Sequence, residues 1–191
     1  MNHIQTVILD RDGVINFDSP DYILSPEQWQ AIPQSLEAIA KLKQAGKQVT
    51  VCSNQSALGR KMIDQLMFDS IQAKMITETE QAGGSFDYIA VCPHGPDDGC
   101  ACRKPLPGML IDTLKALDIQ DKRSAVMIGD SYRDVQAAHA AGIAAMLVRS
   151  GYGDADTIFE KSKVLMPNIQ TFNTLAEAVA MILQSDNEDR P

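Results

Sequence analysis

The sequence predicts an α/β fold: a Rossmann-like open parallel sheet with helices on both faces and no large cap domain. Short, continuous apolar runs alternate along the chain with longer segments whose apolar residues recur at helical spacing, and this alternation is typical of parallel sheets. The 191 residues and their 45% hydrophobic content suffice for one globular domain with a substantial core. We therefore expect a single domain over residues 1–184 and a polar, frayed tail over 185–191.

The first strand is expected at residues 6–9, where a continuous apolar run ends in Asp10. The same criteria predict further strands at 48–52, 86–91, 125–128 and 144–148, and helices at 33–45, 61–81, 108–117 and 135–141. Between Gly13 and Cys52 there is room for only one loop and one helix. This spacing leaves no place for a separate cap domain, so we expect an open site.

The charge balance limits the classes of partner. The formal net charge is −8, with a pI near 4.8, which disfavours a general role on nucleic acid or on anionic membranes. The N-terminus lacks a basic region followed by a long apolar run, and no stretch approaches the length of a membrane span. We expect a cytoplasmic protein that binds neither nucleic acid nor membrane and meets any anionic substrate through a local positive site.

Polar side chains follow three of the predicted strands at the point where each strand ends. They are Asp10 and Asp12, then Ser53 and Asn54, then Asp130 and Asp134. Because the carboxyl ends of parallel strands share one edge of a sheet, these side chains should converge on one crevice. Converging carboxylates repel one another unless a cation lies between them, and oxygen ligands suit Mg²⁺ together with a substrate phosphate.

Asp10 and Asp12 lie two residues apart, so both can point toward the same site. One carboxylate could attack phosphorus and form an aspartyl-phosphate, while the other protonates the leaving alkoxide and later activates water. Lys104 and Ser53 could hold the phosphoryl oxygens during this transfer. The alternatives are solvated loop aspartates, a surface lysine and a helix-capping serine; the preceding apolar strand and the distant partner residues favour the catalytic interpretation.

A second cluster lies in a loop, over residues 92–107, that has no periodicity. Cys92, His94, Cys100 and Cys102 give the spacing C-x-H-x₅-C-x-C, which fits a metal site better than a disulfide framework. Tetrahedral zinc with three thiolates and one imidazole is the natural occupant, and four protein ligands make such a site structural. Three free cysteines beside a chance histidine are the alternative. A closed zinc loop would fix the approach of Arg103 and Lys104 to the phosphate.

Four motifs stand in the order found in the haloacid dehalogenase superfamily of phosphatases, which the chain resembles. They are Asp10-Arg11-Asp12-Gly13, Ser53-Asn54-Gln55, Arg103-Lys104-Pro105 and Gly129-Asp130-Ser131-Tyr132-Arg133-Asp134. The resemblance implies that Asp10 is the nucleophile, Asp12 the general acid and base, and that Ser53 and Lys104 hold the phosphate. It also implies that the Asp10 carboxylate, the Asp12 backbone carbonyl and Asp130 bind Mg²⁺, and that Asp134 supports these ligands without binding the ion itself.

The zinc loop followed by Arg-Lys-Pro is similar to two families within that superfamily, the heptose bisphosphate phosphatases and the histidinol-phosphate phosphatases. The first similarity implies a Mg²⁺-dependent enzyme that removes the 7-phosphate of D-glycero-D-manno-heptose 1,7-bisphosphate on the route to the nucleotide-activated heptose of lipopolysaccharide. Its implied substrate-binding residues are Asp18, Tyr22, Ser53, Asn54, Gln55, Ser56, Arg103 and Lys104.

Other interpretations remain open at this point. Histidinol phosphate is the alternative substrate, and the five-residue spacer of the zinc loop does not decide between the two families. A phosphotransferase is possible on the same motifs, although an open site favours water as the acceptor. A catalytically silent, zinc-organised binding module is the alternative from another class. We expect a monomer whose partner is a small phosphorylated sugar.

Overall fold

The computed structural model describes residues 3–188, and the side chains of residues 3–186. Six parallel strands form one sheet in the order β3-β2-β1-β4-β5-β6. The strands are β1 (Thr6–Leu9), β2 (Gln48–Asn54), β3 (Tyr88–Cys92), β4 (Ala125–Gly129), β5 (Ala144–Val148) and β6 (Gln170–Phe172). The helices are α1 (Ser35–Gln44), α2 (Ser56–Gly59), α3 (Gln65–Gln81), α4 (Gly108–Ala116), α5 (Tyr132–Ala141), α6 (Ala155–Leu165) and α7 (Leu175–Glu188). None of the helices in the described part of the chain is both long and apolar enough to cross a membrane.

The predicted fold class, a parallel sheet covered by helices on both faces, is confirmed. Successive side chains of a strand point to opposite faces, and in β1 both sets are apolar. Val7 and Leu9 belong to the core formed with α1, α3 and α7, whereas Ile8 belongs to the core formed with α4 and α5. All three side chains are fully buried, which explains why the strand appears in the sequence as a continuous apolar run.

The second predicted helix begins four residues later than expected. Residues 61–64 form a turn in which Lys61 has a positive φ of 57°. Helix α3 then begins after Asp64, whose side chain accepts a hydrogen bond from the backbone amide of Met67. An N-cap of this kind satisfies a backbone donor that has no partner within the helix, so the boundary is set by Asp64.

Helix α7 continues through Ser185 and Asp186, so the expectation of a frayed tail from residue 185 is wrong for this part of the chain. Asp186 is 6% exposed. It forms an ion pair with the buried ammonium group of Lys47, and its Oδ1 lies 2.6 Å from His3 Nδ1. These contacts attach the end of the helix to both the N-terminus and β2. Residues 189–191 of the predicted tail lie outside the described residues.

The strand order places the functional edge of the sheet. Strand β1 pairs with β2 on one side and with β4 on the other. The chain therefore builds the sheet outward in one direction from β1 to β3 and in the opposite direction from β4 to β6. In open α/β sheets a crevice forms at such a point, outside the carboxyl ends of the strands. The residues that directly follow β1 and β4, and those that end β2, are the ones that the sequence selected as chemical candidates.

Candidate active site

A cleft of about 210 Å³ opens at the carboxyl ends of β1, β2 and β4. Every predicted residue apart from the zinc ligands lines this cleft: Asp10, Asp12, Asp18, Tyr22, Ser53, Asn54, Gln55, Ser56, Arg103, Lys104, Asp130 and Asp134. The cleft also contains side chains that the sequence analysis did not select as site residues: Ser19, Pro20, Ile23, Arg60, Pro96, Ser131, Arg133 and Tyr152. The structure therefore brings residues from widely separated parts of the chain to one place.

Lys104 is the central cation of the cleft. Its side chain is 1% exposed, and its Nζ lies 2.9 Å from Asp10 Oδ2 and 2.6 Å from Asp134 Oδ1. The other oxygen of Asp134 accepts hydrogen bonds from the backbone amide and the hydroxyl of Ser131, which completes a capping box at the start of α5. Both oxygens of Asp134 are thus engaged, and the residue holds Lys104 and the helix in place.

Asp130 lies between two glycines that leave room for its carboxylate. A Cβ added at Gly13 would lie 2.5 Å from Asp130 Oδ2, and one added at Gly151 would lie 1.8 Å from the same atom. Gly13 also has a φ of +78°, a conformation that other residues adopt only with strain. The glycine that follows Asp12 is therefore required both for the turn and for the position of Asp130.

Carboxylate oxygens of Asp10, Asp130 and Asp134 lie within 4.8 Å of one another. Burial, together with neighbouring carboxylates, raises the pKa of Asp10 to about 7 despite the opposing effect of Lys104. Burial and the charges of Asp134 and Asp10 likewise raise the pKa of Asp130 to about 8. Three carboxylates against one ammonium group leave two negative charges when all are ionised, and hard oxygen donors of this kind fit a divalent cation such as Mg²⁺.

These pKa values give the cation site a definite pH dependence. In the metal-free protein, Asp10 and Asp130 stay protonated well above pH 4 and lose their protons only near pH 7 and pH 8. Stability is lost over this range as the pH rises, because the charged carboxylates are buried close together. A divalent cation relieves this charge, whereas at lower pH it must displace protons. We expect the increase in melting temperature on adding MgCl₂ to be larger at pH 8 than at pH 6, with NaCl of equal ionic strength as the control. Equal increases at both pH values would contradict the carboxylate cation site.

The two residues after Ser53 point their amide groups at other protein groups. Asn54 Nδ2 donates to the Lys104 carbonyl at 2.9 Å, and the Lys104 amide donates to Asn54 Oδ1 at 3.1 Å. Gln55 Nε2 donates to Asp12 Oδ2 at 2.7 Å and to Ser53 Oγ at 2.8 Å. Asn54 and Gln55 line the cleft, and their amides hold Lys104, Asp12 and Ser53.

Cys92, His94, Cys100 and Cys102 converge beside the cleft, and none of the three cysteines is in a disulfide. Cys92 Sγ lies 3.7 Å from Cys100 Sγ and 3.3 Å from Cys102 Sγ, and His94 Nδ1 lies 3.3 Å from Cys102 Sγ. With zinc–sulfur bonds of about 2.3 Å, two sulfur ligands of a tetrahedral site are about 3.8 Å apart. The four ligand atoms lie within 4.8 Å of one another, and three thiols with one imidazole have the chemistry of a closed zinc site.

The cysteine loop is attached to the cleft at two points. Arg103 Nη1 donates to the His94 carbonyl at 2.9 Å, so the direction of this arginine depends on the loop conformation. On the other side, Gly59 contacts the loop so closely that an added Cβ would lie 2.2 Å from the Pro93 carbonyl oxygen. Helix α2, which ends at Gly59, and the cysteine loop thus pack together at the edge of the cleft.

Asp18 and Tyr22 lie in the loop that follows β1 and line the cleft. Burial and the charge of Asp12 raise the pKa of Asp18 to about 6, and its Oδ1 accepts a hydrogen bond from the Ser19 amide at 2.7 Å. Two arginines, Arg60 and Arg133, add positive charge to the same cleft. Neither arginine is predicted as a site residue from the sequence, because an exposed arginine after a helix or within one carries no local signal of a site.

Comparisons with known proteins agree with this geometry. A family model described as HAD-hydrolase-like matches residues 101–178. The D-glycero-beta-D-manno-heptose-1,7-bisphosphate 7-phosphatase of Bordetella bronchiseptica is 49% identical over 150 residues, which are 78% of this chain and 83% of that protein. The chain therefore belongs to the haloacid dehalogenase-like hydrolases, in the family of heptose bisphosphate phosphatases. The family member of Pseudomonas aeruginosa is 41% identical over 178 residues, 93% of this chain and 97% of that protein.

A solved structure of the same family has closely similar architecture. The D,D-heptose 1,7-bisphosphate phosphatase of B. bronchiseptica, complexed with magnesium and phosphate, superposes with a TM-score of 0.89 at 43% identity. The match covers 95% of this chain and 99% of that one. The resemblance drawn from the four motifs is therefore confirmed at the level of the family.

Proposed function

We infer that the chain is a Mg²⁺-dependent phosphatase that removes the 7-phosphate of D-glycero-D-manno-heptose 1,7-bisphosphate. The observation that carries this inference is the convergence of the Asp10, Asp130 and Asp134 carboxylates at the carboxyl ends of the strands, where the buried ammonium group of Lys104 pairs with Asp10 and Asp134. The membership of the heptose bisphosphate phosphatase family supports the substrate. In a Gram-negative cell this reaction would serve the synthesis of activated heptose for lipopolysaccharide.

The reaction proceeds in two steps. A carboxylate oxygen of Asp10 attacks phosphorus, the bond from phosphorus to the sugar oxygen breaks, and the electron pair leaves with that oxygen, which takes a proton from Asp12. Asp12, now a carboxylate, accepts a proton from water; the water oxygen attacks the aspartyl-phosphate, and the bond to Asp10 breaks. Inorganic phosphate and the original carboxylate of Asp10 are released, while Asp12 is protonated again.

Asp10, Asp130 and the Asp12 backbone carbonyl would hold Mg²⁺ at this site. Bound there, the ion supplies positive charge to the phosphoryl oxygens. Ser53 and Lys104 bind the same oxygens from the protein side, because Lys104 already lies 2.9 Å from Asp10 Oδ2 and Ser53 lines the cleft. Asp134 keeps its supporting role, since both of its oxygens are engaged by Lys104 and Ser131.

A bisphosphate brings a second anionic group into the cleft, and the cleft contains further cationic side chains. Arg60, Arg103 and Arg133 line it in addition to Lys104, although the chain as a whole has a net charge of −8. A guanidinium group binds phosphate through paired hydrogen bonds. Asp18 and Tyr22, on the loop after β1, would contact the sugar between the two phosphates. The three arginines thus favour a substrate with more than one phosphate.

The substrate assignment is tested by measuring phosphate release in the presence of Mg²⁺. We expect kcat/KM for heptose 1,7-bisphosphate to exceed that for histidinol phosphate, which has a single phosphate and carries an ammonium group. An Arg133→Gln variant should raise KM for the bisphosphate more than for a heptose monophosphate. A higher specificity constant for histidinol phosphate would transfer the assignment to the alternative substrate, and turnover of no phosphomonoester would favour the silent binding module.

The oligomeric state and location of the protein follow from the same interpretation. The partner is a small phosphorylated sugar, and we propose a cytoplasmic monomer. Sedimentation velocity measures the oligomeric state directly, and a single species near the chain mass of 20.8 kDa is expected.

We propose that Cys92, His94, Cys100 and Cys102 bind one structural zinc ion. The convergence of the four ligand atoms supports this proposal. The pKa values of the thiols do not all point the same way: although desolvation raises it, hydrogen bonds lower the pKa of Cys100 to about 7, whereas burial raises the pKa of Cys92 to about 12 and also raises that of Cys102. Elemental analysis should find about one zinc per chain.

Removal of zinc should disorder residues 92–107 and abolish the placement of Arg103 by the His94 carbonyl. We expect a loss of activity that Mg²⁺ alone does not restore and that added Zn²⁺ does. Amide hydrogen exchange with and without chelator locates the change. Freshly purified, active protein without zinc, with all three thiols reactive, would contradict the structural site.

A further inference from the structure

Asp12 accepts four hydrogen bonds through its two carboxylate oxygens. Oδ1 accepts from Arg11 Nε at 3.1 Å and from Asn16 Nδ2 at 2.8 Å. Oδ2 accepts from Arg11 Nη2 at 3.0 Å and from Gln55 Nε2 at 2.7 Å. A carboxylate offers about four lone-pair positions, so all of them are in use. Before Asp12 can exchange a proton with the leaving oxygen or with water, one donor has to withdraw.

Arg11 is held at both ends and cannot be that donor. It is 1% exposed, and its planar guanidinium group donates to both oxygens of Asp12. Such paired hydrogen bonds fix the orientation of a carboxylate strongly. The remaining terminal nitrogen, Nη1, donates to Gln72 Oε1 at 3.2 Å. Gln72 lies on helix α3, 61 residues along the chain. Helix α3 thereby sets the direction of Asp12 through a single buried arginine.

Gln55 differs from the other donors in its position. It lines the cleft, whereas Arg11 and Asn16 are not among the residues that line it. Its Nε2 already donates to Ser53 Oγ at 2.8 Å, on the side where the phosphoryl group binds under the proposed function. An entering phosphate therefore offers the Gln55 amide a new acceptor and draws it away from Asp12. Asn16 has no such alternative, because it is fully buried and does not line the cleft that the phosphate enters.

We propose that Arg11, anchored by Gln72, is a positioning residue that aims the Asp12 carboxylate, and that Gln55 is the donor that releases Oδ2 when substrate enters. The inference rests on the proposed role of Asp12 as general acid and base. Oδ2 then carries the proton that passes to the leaving oxygen and later receives one from water. A helix outside the four motifs thus takes part in orienting the acid.

The test compares two leaving groups in Arg11→Lys and Gln72→Leu variants. A sugar alkoxide needs the proton of Asp12, whereas 4-nitrophenolate leaves without one. The compared quantity is kcat/KM, which reports the steps up to formation of the aspartyl-phosphate, because the later hydrolysis needs Asp12 as a base whichever leaving group has departed. For Arg11→Lys we expect kcat/KM on the sugar phosphate to fall about 10–100-fold, part of the full contribution of a general acid, while kcat/KM on 4-nitrophenyl phosphate falls less than about threefold. Gln72→Leu should change the same ratio in the same direction by a smaller factor. Gln65→Leu, at an exposed position of the same helix, is the control.

Gln55→Leu separates the two roles. Since Arg11 still aims Asp12 in this variant, the ratio of the two kcat/KM values should stay near that of the wild type, while KM rises for both esters. A ratio that falls as far as in Arg11→Lys overturns the exchange role of Gln55. If Arg11→Lys does not fold, as judged by circular dichroism, Gln72→Leu carries the test of the anchor.

The outcomes distinguish this inference from the phosphatase proposal. If the wild type hydrolyses both esters but Arg11→Lys and Gln72→Leu lose both equally or neither, the positioning role is overturned and the phosphatase proposal stands. A wild-type protein that hydrolyses neither ester overturns the two together.

Discussion

Replacing Asp10 by Asn should lower kcat by about 10⁴-fold or more, the usual consequence of removing a catalytic nucleophile. The amide is a poor nucleophile, so the acyl-phosphate bond on which both steps depend does not form. The fold should persist, because Asn has the same shape and can still accept the 2.7 Å hydrogen bond that the Arg11 amide donates to Oδ1. The change therefore separates the chemistry from the structure of the cleft.

The measurement is acid quench of the enzyme during turnover of a substrate labelled in its phosphate. The wild type should carry acid-stable, alkali-labile label on the protein, and Asp10→Asn should carry none. Asp112→Asn, at an exposed position of helix α4, is the matched control and should behave as the wild type. An Asp10→Asn variant with a rate near that of the wild type, or with label still bound, would end the covalent mechanism.

The central part of the fold was predictable because local pattern and tertiary position agree there. A strand buried on both faces, such as β1, is apolar at every position, and the polar residues directly after it must lie at the sheet edge. The segment from residue 149 to 183 received no assignment, although it contains α6, β6 and the start of α7. Helix α6 has only Ser162 buried and β6 has three residues, so neither produces a clear apolar pattern.

Helix α7 is a different case, because its signal was present. Leu175, Ala178, Val179 and Ile182 are all buried at the spacing of one helix face. The polar residues that follow suggested a tail, yet Asp186 is buried because Lys47 and His3 lie opposite it. Ion pairs between such distant residues cannot be inferred from local composition.

The residues of the cleft also fall into a group that local sequence indicates and a group that it does not. The strand ends and the order of the motifs indicated which residues converge, but not their partners. Asn54 bonds the Lys104 backbone across 50 residues, and Arg11 reaches Gln72 across 61. Such long-range contacts depend on how the loops return to the sheet. Sequence therefore indicates the reacting groups more readily than the groups that orient them.

Replacing Lys104 by Met should have the second largest effect and should act on both activity and stability. Removing one preorganised cation that binds the transferring phosphoryl group costs about 10²–10³ in kcat. The same change leaves Asp10 and Asp134 without the ammonium group that lies 2.9 and 2.6 Å from their oxygens. Breaking a buried ion pair by removing one partner costs about 3–5 kcal/mol in the free energy of unfolding.

The pH dependence of that loss identifies its origin. Burial raises the pKa of Asp134, but Lys104 and the Ser131 hydrogen bonds outweigh it, so the net pKa lies below the usual range. A carboxylate with a lowered pKa stabilises the fold above its unfolded pKa, and this stabilisation is lost as the pH falls. In Lys104→Met the pKa values of Asp134 and Asp10 rise, so protonation removes most of the cost in acid.

We therefore expect the melting temperature of Lys104→Met, measured without added Mg²⁺, to lie further below that of the wild type at pH 8 than at pH 5. Lys115→Met, at an exposed position of α4, should show neither a loss of activity nor this dependence. A temperature difference that is the same at both pH values would mean that Lys104 stabilises the cleft through packing alone. The carboxylates on either side of it would then need another source of positive charge, and the bridging role of Lys104 would have to be abandoned.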